Sequence, residues 1–315
     1  MTDTIRDITA SAISARHAPR EPLRSVYDPP PLIGARRGRR TILINSPTNV
    51  ASEREVAALL SRDRGRQVRA IAATARATIR QRGVEITVRP EMLDLVPTRE
   101  LLPVRRPPAY ESMVNYVSKE VVRAPDGNLQ VWSESFNERK HLFELAWEGV
   151  NDLNTQSLML WWTLPTGRIV HHVPDFLGRD GTWHTTLYDI YSDYFMDETR
   201  HYQYDLTAAT CEAIGWGYEV GNDDISDVRV HNVRTLFGSG EHEPALPPLD
   251  WQSAGIRTLA GLAVAEGGGE VGWERAYTRL WRREVGFDPE GPLEDWTVLT
   301  PELPASPRGT WPVSA

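Results

Sequence analysis

The stretch HHVPDFLGRDGTWHTTLYDIYSD, residues 171–193, decides the fold that we expect for this sequence. It predicts two short strands joined by a polar turn, with a Pro-Asp pair on the first strand and Asp189 on the second. Side chains alternate along a strand, so Asp175 shares a face with Asp189 only if odd residues pair with odd residues. That register needs an odd-length loop or a bulge, which the two glycines of GRDG make plausible.

Two neighbouring carboxylates are suited to hold a divalent metal ion. Mg²⁺ prefers oxygen ligands and is often held by one or two carboxylates together with water and phosphate. A bound metal polarises phosphorus and lowers the pKa of an attacking water, which is what phosphodiester hydrolysis requires. The carbonyl of Ile190 is a further candidate ligand, and Glu138 on the preceding predicted helix is expected to point into the same cleft. Alone, the two acids of the hairpin are a weak signal.

The residues around this hairpin have the most regular pattern in the chain. The pattern predicts a helix from Glu134 to about Glu148, strands at 157–164, 169–177 and 183–192, a helix from Asp197 to Ile214 that ends at Gly215, and a strand at 216–220. This α-β-β-β-α-β order predicts an α/β fold with a mixed sheet flanked by helices.

The N-terminal part of the chain is rich in arginine. Residues 1–48 are irregular, which is typical of a phosphate-contacting arm or of a solvated, disordered tail. Residues 51–82 predict a basic helix with a capping box formed by Ser52 and Glu55. This helix either crosses a DNA backbone or presents a solvated face.

Three regions are expected along the chain. LLPVRRPP, residues 101–108, predicts a linker at the end of a basic, partly disordered and helical region, 1–108. The regular α/β domain spans 109–240. A small helical module with an acidic, proline-rich tail spans 241–315.

Composition narrows the class of protein. The 315 residues are 40% hydrophobic and 25% charged, which is typical of a soluble globular protein. No apolar run approaches the roughly 20 residues that cross a bilayer, so a membrane partner is not expected. The single cysteine, Cys211, excludes an internal disulfide framework and fits a reducing cytoplasm. The first 110 residues contain 20 arginines against 11 acids, an asymmetry that can mark a region binding an anion.

Five short motifs occur in an order that is similar to a known family. They are Glu-Ser-x-x-Glu at 134–138, a glutamine before a strand at 151–162, His-x-Pro-Asp-Phe-Leu at 172–177, Gly-Trp and a short strand at 215–220, and Asn-Val-Arg with an apolar pair at 232–237. Through these motifs, residues about 113–237 resemble the TnsA-like endonuclease subunits of heteromeric transposases. Those subunits belong to the restriction-endonuclease-like, PD-(D/E)XK superfamily.

The resemblance implies a fold, a site and partners. It implies a restriction-endonuclease-like core in which Glu138 and Asp175 face a metal ion and Asp189 is the acid of the third strand. The cofactor would be Mg²⁺ or Mn²⁺. The substrate would be double-stranded DNA, cut on one strand at transposon ends beside a transposase subunit, with an ATPase regulator as a further candidate partner. The catalytic lysine of the family falls on Tyr191.

Tyr191 leaves two functions open. A lysine at this position would orient water and neutralise charge on phosphorus, whereas tyrosine is neutral at pH 7. Lys140 is expected to point about 200° away from Glu138 on its helix. The candidates for a replacement cation are Lys119, Lys140, Arg179, Arg200 and His172. The retained acids favour an active endonuclease, and Tyr191 favours a catalytically impaired DNA-binding or assembly subunit of a transposase or defence complex.

Overall fold

The computed structural model describes residues 41–42, 47–60, 64–106, 118–124, 127–150, 152–191, 198–240 and 246–312. Within these residues the protein is mixed α/β with several antiparallel sheets. No helix among them is long and apolar enough to cross a membrane. The two interpretations of residues 1–48 fall almost wholly outside the described residues, so both stay predictions.

Helices and short strands alternate along the described chain. The α-helices are α1 Glu53–Leu60, α2 Arg64–Ala72, α3 Phe136–Trp147, α4 Glu198–Ile214, α5 Asp227–Gly240, α6 Leu259–Ala265 and α7 Gly269–Trp281, and 3₁₀ helices span Pro90–Leu95 and Thr98–Glu100. The strands are β1 Thr41–Ile42, β2 Arg76–Gln81, β3 Val84–Val88, β4 Leu101–Leu102, β5 Arg105–Arg106, β6 Ser118–Ala124, β7 Gly127–Ser133, β8 Asn154–Thr155, β9 Leu158–Thr163, β10 Ile169–His172, β11 Phe176–Arg179, β12 Thr185–Ile190, β13 Gly217–Gly221, β14 Gly286–Phe287, β15 Leu299–Thr300 and β16 Gly309–Thr310.

The chain forms two compact units that are interleaved in sequence. The first unit takes its residues from 1–138, 151–222 and 308–315, and the second takes them from 139–150 and 223–307. Helix α3 therefore begins in the first unit and continues in the second. The three sequential regions expected from the sequence stay predictions.

Two five-stranded sheets build the first unit. One has the order β10-β9-β2-β3 with β4 beside β2, and the other has the order β16-β13-β12-β11-β8. The pair β12–β13 is parallel, and helix α4 makes the crossover that a parallel pair requires. Val68, Ile79, Leu160, Trp162 and Leu206 belong to the hydrophobic core of this unit.

The predicted helices and strands are present between Phe136 and Gly221, but β8 was not predicted, one predicted strand is divided in two, and the strands belong to two sheets rather than to one mixed sheet. The strand expected at 169–177 consists of β10 and β11. Pro174 lies between them and has no N–H to donate to a ladder, which accounts for the break. Strand β10 pairs with β9 in one sheet, and β11 pairs with β8 and β12 in the other. Asp175 consequently comes directly before β11 rather than within a continuous strand.

The basic helix predicted at 51–82 is wrong in its second half. Helices α1 and α2 end by Ala72, and Arg76–Gln81 is strand β2. In β2 the side chains of Ala77, Thr78, Ile79 and Gln81 are buried, and Arg76 and Arg80 are the more exposed residues that made the stretch resemble part of a basic helix in the sequence. The N-terminal capping box is confirmed, since the Ser52 N–H donates to Glu55 Oε2 at 2.7 Å and the Glu55 N–H donates to Ser52 Oγ at 3.4 Å.

The linker predicted at 101–108 is also wrong for its described part. Leu101 and Val104 are fully buried, and Arg105 is only 7% exposed. The apolar side chains join the packed interior, and the Val104 N–H donates to the carbonyl of Gln156 at 2.8 Å. This stretch therefore delivers Arg105 to the interior of the first unit.

The second unit is built mainly from helices. The later part of α3 packs with α5, α6 and α7 around Phe143, Trp147, Leu262 and Leu280. A buried ion pair joins Arg229 to Glu144 at 2.9 Å. Because a buried ion pair needs both partners, it ties α5 to α3 within this unit.

Candidate functional site

The register of the second sheet places three polar residues in one row. Continuing the observed pairing by one residue puts Asp175 between Gln156 and Asp189. Main-chain contacts agree, because the Gln156 N–H donates to the Asp175 carbonyl at 2.9 Å and the Asp175 N–H donates to Asp189 Oδ1 at 3.3 Å. Odd residues pair with odd residues across a five-residue loop, 180–184, which is the register that a shared face requires. The observed pairs are Phe176↔Tyr188, Leu177↔Leu187, Phe176↔Thr155 and Leu177↔Asn154.

Asp189 is an anchor at the centre of the site. Its side chain is buried, and besides the Asp175 N–H it accepts a hydrogen bond from the Tyr218 hydroxyl at 2.6 Å. His172 Nε2 lies 2.8 Å from the same Oδ2 oxygen. Both carboxylate oxygens therefore have partners, so Asp189 is placed to orient the main chain at Asp175 and the ring of His172.

Asp175 keeps one carboxylate oxygen without a hydrogen bond from the described residues. Its Oδ2 accepts from the Ile190 N–H at 2.8 Å, and Oδ1 has no such donor. Burial raises the pKa of Asp175 to about 7, and the negative charge of Asp189 adds to the rise, while Arg105 opposes it. Asp175 is thus a half-protonated carboxyl near neutral pH, with an oxygen available to a cation.

Glu138 caps the helix on which it lies and faces Asp175. Its Oε2 accepts from the Glu134 N–H at 2.7 Å, and its Oε1 accepts from the Ser135 hydroxyl at 3.2 Å. Burial raises the pKa of Glu138 well above its ordinary value, and the negative charges of Asp175 and Glu134 raise it further. The structure therefore brings Glu138, Asp175 and Asp189 together as expected, and their catalytic and metal-binding roles stay predictions.

Three residues of this site were not predicted. Glu134 is 3% exposed, and with Glu138, Asp175 and Asp189 it forms what we call the acidic cluster. Arg105 Nη2 donates to Glu134 Oε2 at 2.9 Å, and Arg105 Nε donates to Gln156 Oε1 at 3.1 Å. Glu134 and Gln156 belong to the motifs noted in the sequence. Arg105 gave no signal there, because it reaches the site from a stretch interpreted as a linker.

The ring of Tyr191 packs against the hydrophobic core of the first unit. It is half-buried, and its ring centroid lies 6.4 Å from that of Tyr204. Its N–H donates to the Gly221 carbonyl at 2.9 Å, continuing the pairing of β12 with β13. The ring of Tyr191 therefore belongs to the packed interior, at the position where the resemblance predicts a lysine.

Most of the expected replacement cations have other partners. Lys140 Nζ donates to the Ile225 carbonyl at 3.0 Å and lies 3.3 Å from an Asp227 carboxylate oxygen. Arg179 is buried among the carbonyls of Leu93 and Val96, and it pairs with Asp152. Burial raises the pKa of Tyr204, and the positive charge of Arg200 opposes that rise. The side chain of Lys119 lies outside the described residues. Among the described cations, Arg105 and His172 are in contact with the acidic cluster.

The acidic cluster has the donors for Mg²⁺ but is not a preassembled cage. Within the described residues, no group of three or more His, Cys, Asp and Glu side chains has the arrangement of a metal centre. Oxygen donors are nevertheless what Mg²⁺ prefers, and Mg²⁺ needs only one or two carboxylates beside water and phosphate. Glu134 Oε1 is buried without a hydrogen-bond partner, which is expensive unless a cation binds. Asp175 with Glu134 or a reoriented Glu138 would hold the ion; the Ile190 carbonyl stays a predicted ligand.

Replacing Tyr218 with phenylalanine tests the anchoring of Asp189. The substitution keeps the ring in the core but leaves a buried carboxylate oxygen with one donor fewer. Hydrogen bonds to charged groups contribute about 1.5–3 kcal/mol, so we expect the free energy of unfolding to fall by about 2 kcal/mol. Urea unfolding measures it, with Tyr204→Phe as the matched buried control. Equal stability of the Tyr218→Phe variant and the wild type would contradict the anchoring role.

Comparison with known proteins gives no family for this chain. No protein-family model and no curated protein matches it. The geometry of the acidic cluster and its neighbours is therefore the basis for a function.

Proposed function

We propose that this protein is a TnsA-like, Mg²⁺- or Mn²⁺-dependent DNA endonuclease with a restriction-endonuclease-like, PD-(D/E)XK core. It cuts one strand of double-stranded DNA at transposon ends together with a partner transposase, and an ATPase regulator is a further partner. The observation that carries the proposal is the acidic cluster: four carboxyl groups from the start of α3, the start of β11 and the end of β12.

The charge balance of the cluster favours a bound cation. Among the described residues, Arg105 pairs with Glu134 and His172 contacts Asp189 within a cluster of four acidic side chains. Burying a carboxylate without a compensating charge is costly, and the raised pKa values of Glu138 and Asp175 express that cost. A divalent cation would offset it, whereas a purely structural site would be more stable with apolar side chains of similar volume.

The order of elements around the cluster supports the proposed core. Helix α3, the five short strands β8 to β12, helix α4 and strand β13 follow one another, and β12 and β13 are parallel. Antiparallel pairing of β11 with β12 brings Asp175 and Asp189 to the same end of these two strands. The resemblance at 134–138 and 172–177 concerns the same residues.

The residues of the site would divide the work of hydrolysis. The metal, when bound, polarises phosphorus and lowers the pKa of an attacking water. Asp175, with Glu134 or a reoriented Glu138, would hold the cation, and Asp189 fixes the main chain of Asp175. In the reaction a water oxygen bonds to phosphorus and the bond to the leaving oxygen breaks. The water gives up a proton to solvent, and the leaving oxygen takes one.

A nicking assay tests this function. Purified protein is incubated with supercoiled plasmid in Mg²⁺ or Mn²⁺, alone and with a candidate partner transposase. We expect conversion to the open-circular form with either metal and none in EDTA. If the protein binds DNA but nicks it in none of these combinations, the proposed endonuclease activity is wrong.

The second candidate function is a non-cleaving DNA-binding or assembly subunit of a transposase or defence complex. Two observations favour it: Tyr191 is packed where a lysine would act, and both oxygens of Asp189 already have hydrogen-bond partners. Under this function the protein binds DNA, and calorimetry detects no Mg²⁺ or Mn²⁺ binding.

The Tyr191→Lys variant separates the two functions. A lysine here would bring a positive charge to the acids. That charge would stabilise the negative charge that develops on the phosphate oxygens in the transition state. We expect the nicking rate to rise by about tenfold rather than more, because Arg105 already supplies one positive charge. The rate of plasmid nicking in Mg²⁺ measures it, and the Tyr191→Lys, Asp175→Asn double variant is the control that stays inactive. No nicking by Tyr191→Lys would favour the non-cleaving subunit.

A further inference from the structure

We propose that Arg105 binds a phosphate of the DNA backbone at the acidic cluster and is the positive charge that the position of Tyr191 lacks. This inference rests on the proposed function, since it names how the same site meets its substrate. Arg105 lies before residue 113, outside the stretch that resembles the endonuclease family. The assignment comes from three features: its connection to Asp175, the geometry of its side chain, and two buried groups without partners.

The main chain fixes Arg105 beside Asp175. The Val104 N–H donates to the Gln156 carbonyl at 2.8 Å, and the Gln156 N–H donates to the Asp175 carbonyl at 2.9 Å. Gln156 thus bridges the residue before Arg105 to the acid of the Pro-Asp pair. Thr155 adds a hydrogen bond from Oγ1 to the same Asp175 carbonyl at 3.1 Å. A short chain of hydrogen bonds therefore sets the position of the guanidinium relative to the acidic cluster.

The guanidinium is held by one edge. Arg105 Nε donates to Gln156 Oε1 at 3.1 Å, and Nη2 donates to Glu134 Oε2 at 2.9 Å. A guanidinium has five N–H donors in a planar fork, so these two bonds leave donors for another acceptor. Arginine forks match phosphate oxygens in two parallel hydrogen bonds. An arginine fixed in this way loses little side-chain entropy when an anion binds.

Gln156 and Glu134 each keep a buried atom without a hydrogen-bond partner. Gln156 is 2% exposed, and its Nε2 has no acceptor among the described residues. Because Arg105 can only donate, it requires the amide oxygen of Gln156, and the amide N–H groups are left for another acceptor. Glu134 Oε1 is likewise unpaired and needs a cation or a donor. A phosphate together with a divalent ion satisfies both groups at once.

A purely structural ion pair accounts for less of this geometry. If Arg105 served only to neutralise Glu134, the cost of burying Gln156 Nε2 and Glu134 Oε1 without partners would be left uncompensated. Phosphate binding supplies an acceptor for the amide and for the remaining guanidinium donors. Glu134 then competes with the DNA phosphate for Arg105, so removing the charge of Glu134 should change the affinity for DNA.

The experiment measures DNA binding apart from cleavage. A short labelled duplex is titrated with full-length protein in Ca²⁺, which also takes oxygen ligands, and the affinity is measured over a range of salt concentrations. The association constant K falls with salt, and each lost phosphate contact makes the slope of log K against log salt less steep by about 0.9. The central variant is the Arg105→Met, Glu134→Gln double variant, which removes both charges of the pair so that no buried charge is left alone. The matched control is the Arg229→Met, Glu144→Gln double variant, which removes a buried ion pair of the second unit in the same way.

The central variant is expected to lose about one unit of salt slope and about tenfold in affinity at moderate salt. The Arg229→Met, Glu144→Gln control is expected to keep the wild-type slope. Arg105→Lys keeps the slope, because it keeps the charge, but weakens binding severalfold through loss of the fork. Glu134→Gln alone is expected to strengthen DNA binding severalfold by removing the competing carboxylate. Thermal unfolding of each variant confirms that it is folded.

The outcomes separate this inference from the proposed function. A folded central variant with the wild-type slope, or a wild type that binds no DNA, overturns the role of Arg105. A changed slope in a protein that never nicks DNA supports the role of Arg105 and removes the endonuclease activity. Nicking that continues at the wild-type rate in the central variant leaves the endonuclease standing and overturns Arg105 as its missing charge.

Discussion

Replacing Asp175 with alanine is expected to reduce Mg²⁺-dependent nicking on the order of 10³-fold or more. Asp175 is the member of the acidic cluster whose Oδ1 accepts no hydrogen bond from the described residues, so it is the carboxylate best placed to take a metal. Losing a positioned charge-stabilising group costs about 10²–10³ in rate, and losing the metal that activates water costs more. The first-order rate at which supercoiled plasmid becomes open-circular measures the effect.

Two further variants show whether the loss comes from the carboxylate. Asp175→Asn keeps an amide oxygen that can accept from the Ile190 N–H, so it removes the charge with little change in packing. We expect it to be as inactive as the alanine variant. Asp180→Ala alters an exposed acid in the turn of the same hairpin and is expected to keep wild-type activity. Nicking by Asp175→Ala at the wild-type rate would place the reaction at another site.

Local patterns in the sequence were sufficient to predict the helix and the strands that carry Glu138, Asp175 and Asp189. The stretch 183–192 was predicted as a strand and contains β12, and the register that Asp175 and Asp189 would need to share a face was stated from the sequence and is the one observed. The spacing of Ser52 and Glu55 predicted a capping box that the structure contains. In each case the signal and its consequence lie within a few residues of each other, where propensity and hydrogen-bond geometry act directly.

The missed features depend on contacts between distant parts of the chain. Arg105 reaches the acidic cluster because the Val104 N–H bonds to Gln156, about fifty residues later. A stretch containing three prolines resembles a linker unless the burial of Leu101 and Val104 is known. Likewise, β2 was mistaken for helix because its arginines made the stretch resemble part of a basic helix, and pairing with β9 and β3 decides its state. The endonuclease family itself stays a prediction from motifs.

The metal-free protein is expected to lose stability as the pH rises from 5 to 8. Burial raises the pKa of Asp175 to about 7, against 3.8 for an exposed aspartate, and burial likewise raises that of Glu138. Between these pH values the folded protein holds protons that the unfolded chain has released, so the free energy of unfolding falls with increasing pH. For Asp175 the loss between pH 5 and pH 8 corresponds to about 2.5 kcal/mol, which lowers the Tm by roughly 5–10 °C.

Thermal unfolding in EDTA across this pH range measures the effect. Two variants show whether the pH dependence of the Tm comes from Asp175. Asp175→Asn has no charge to bury, so its Tm should change less with pH and should exceed that of the wild type at pH 8. Asp180→Asn is the matched control, because hydrogen bonds from Thr182 lower the pKa of Asp180, and its contribution changes only below pH 4.

Added Mg²⁺ completes the test, since a cation replaces the proton as the compensating charge. At a concentration one hundred times its Kd, a ligand of the folded state adds about 2.7 kcal/mol of stability. We therefore expect Mg²⁺ to restore the stability of the wild type at pH 8 and to leave Asp175→Asn unchanged. Parallel pH profiles for the wild type and Asp175→Asn would contradict the burial of a charged Asp175. A pH-dependent wild type that Mg²⁺ does not stabilise would leave the acidic cluster in place without a metal, as the non-cleaving subunit requires.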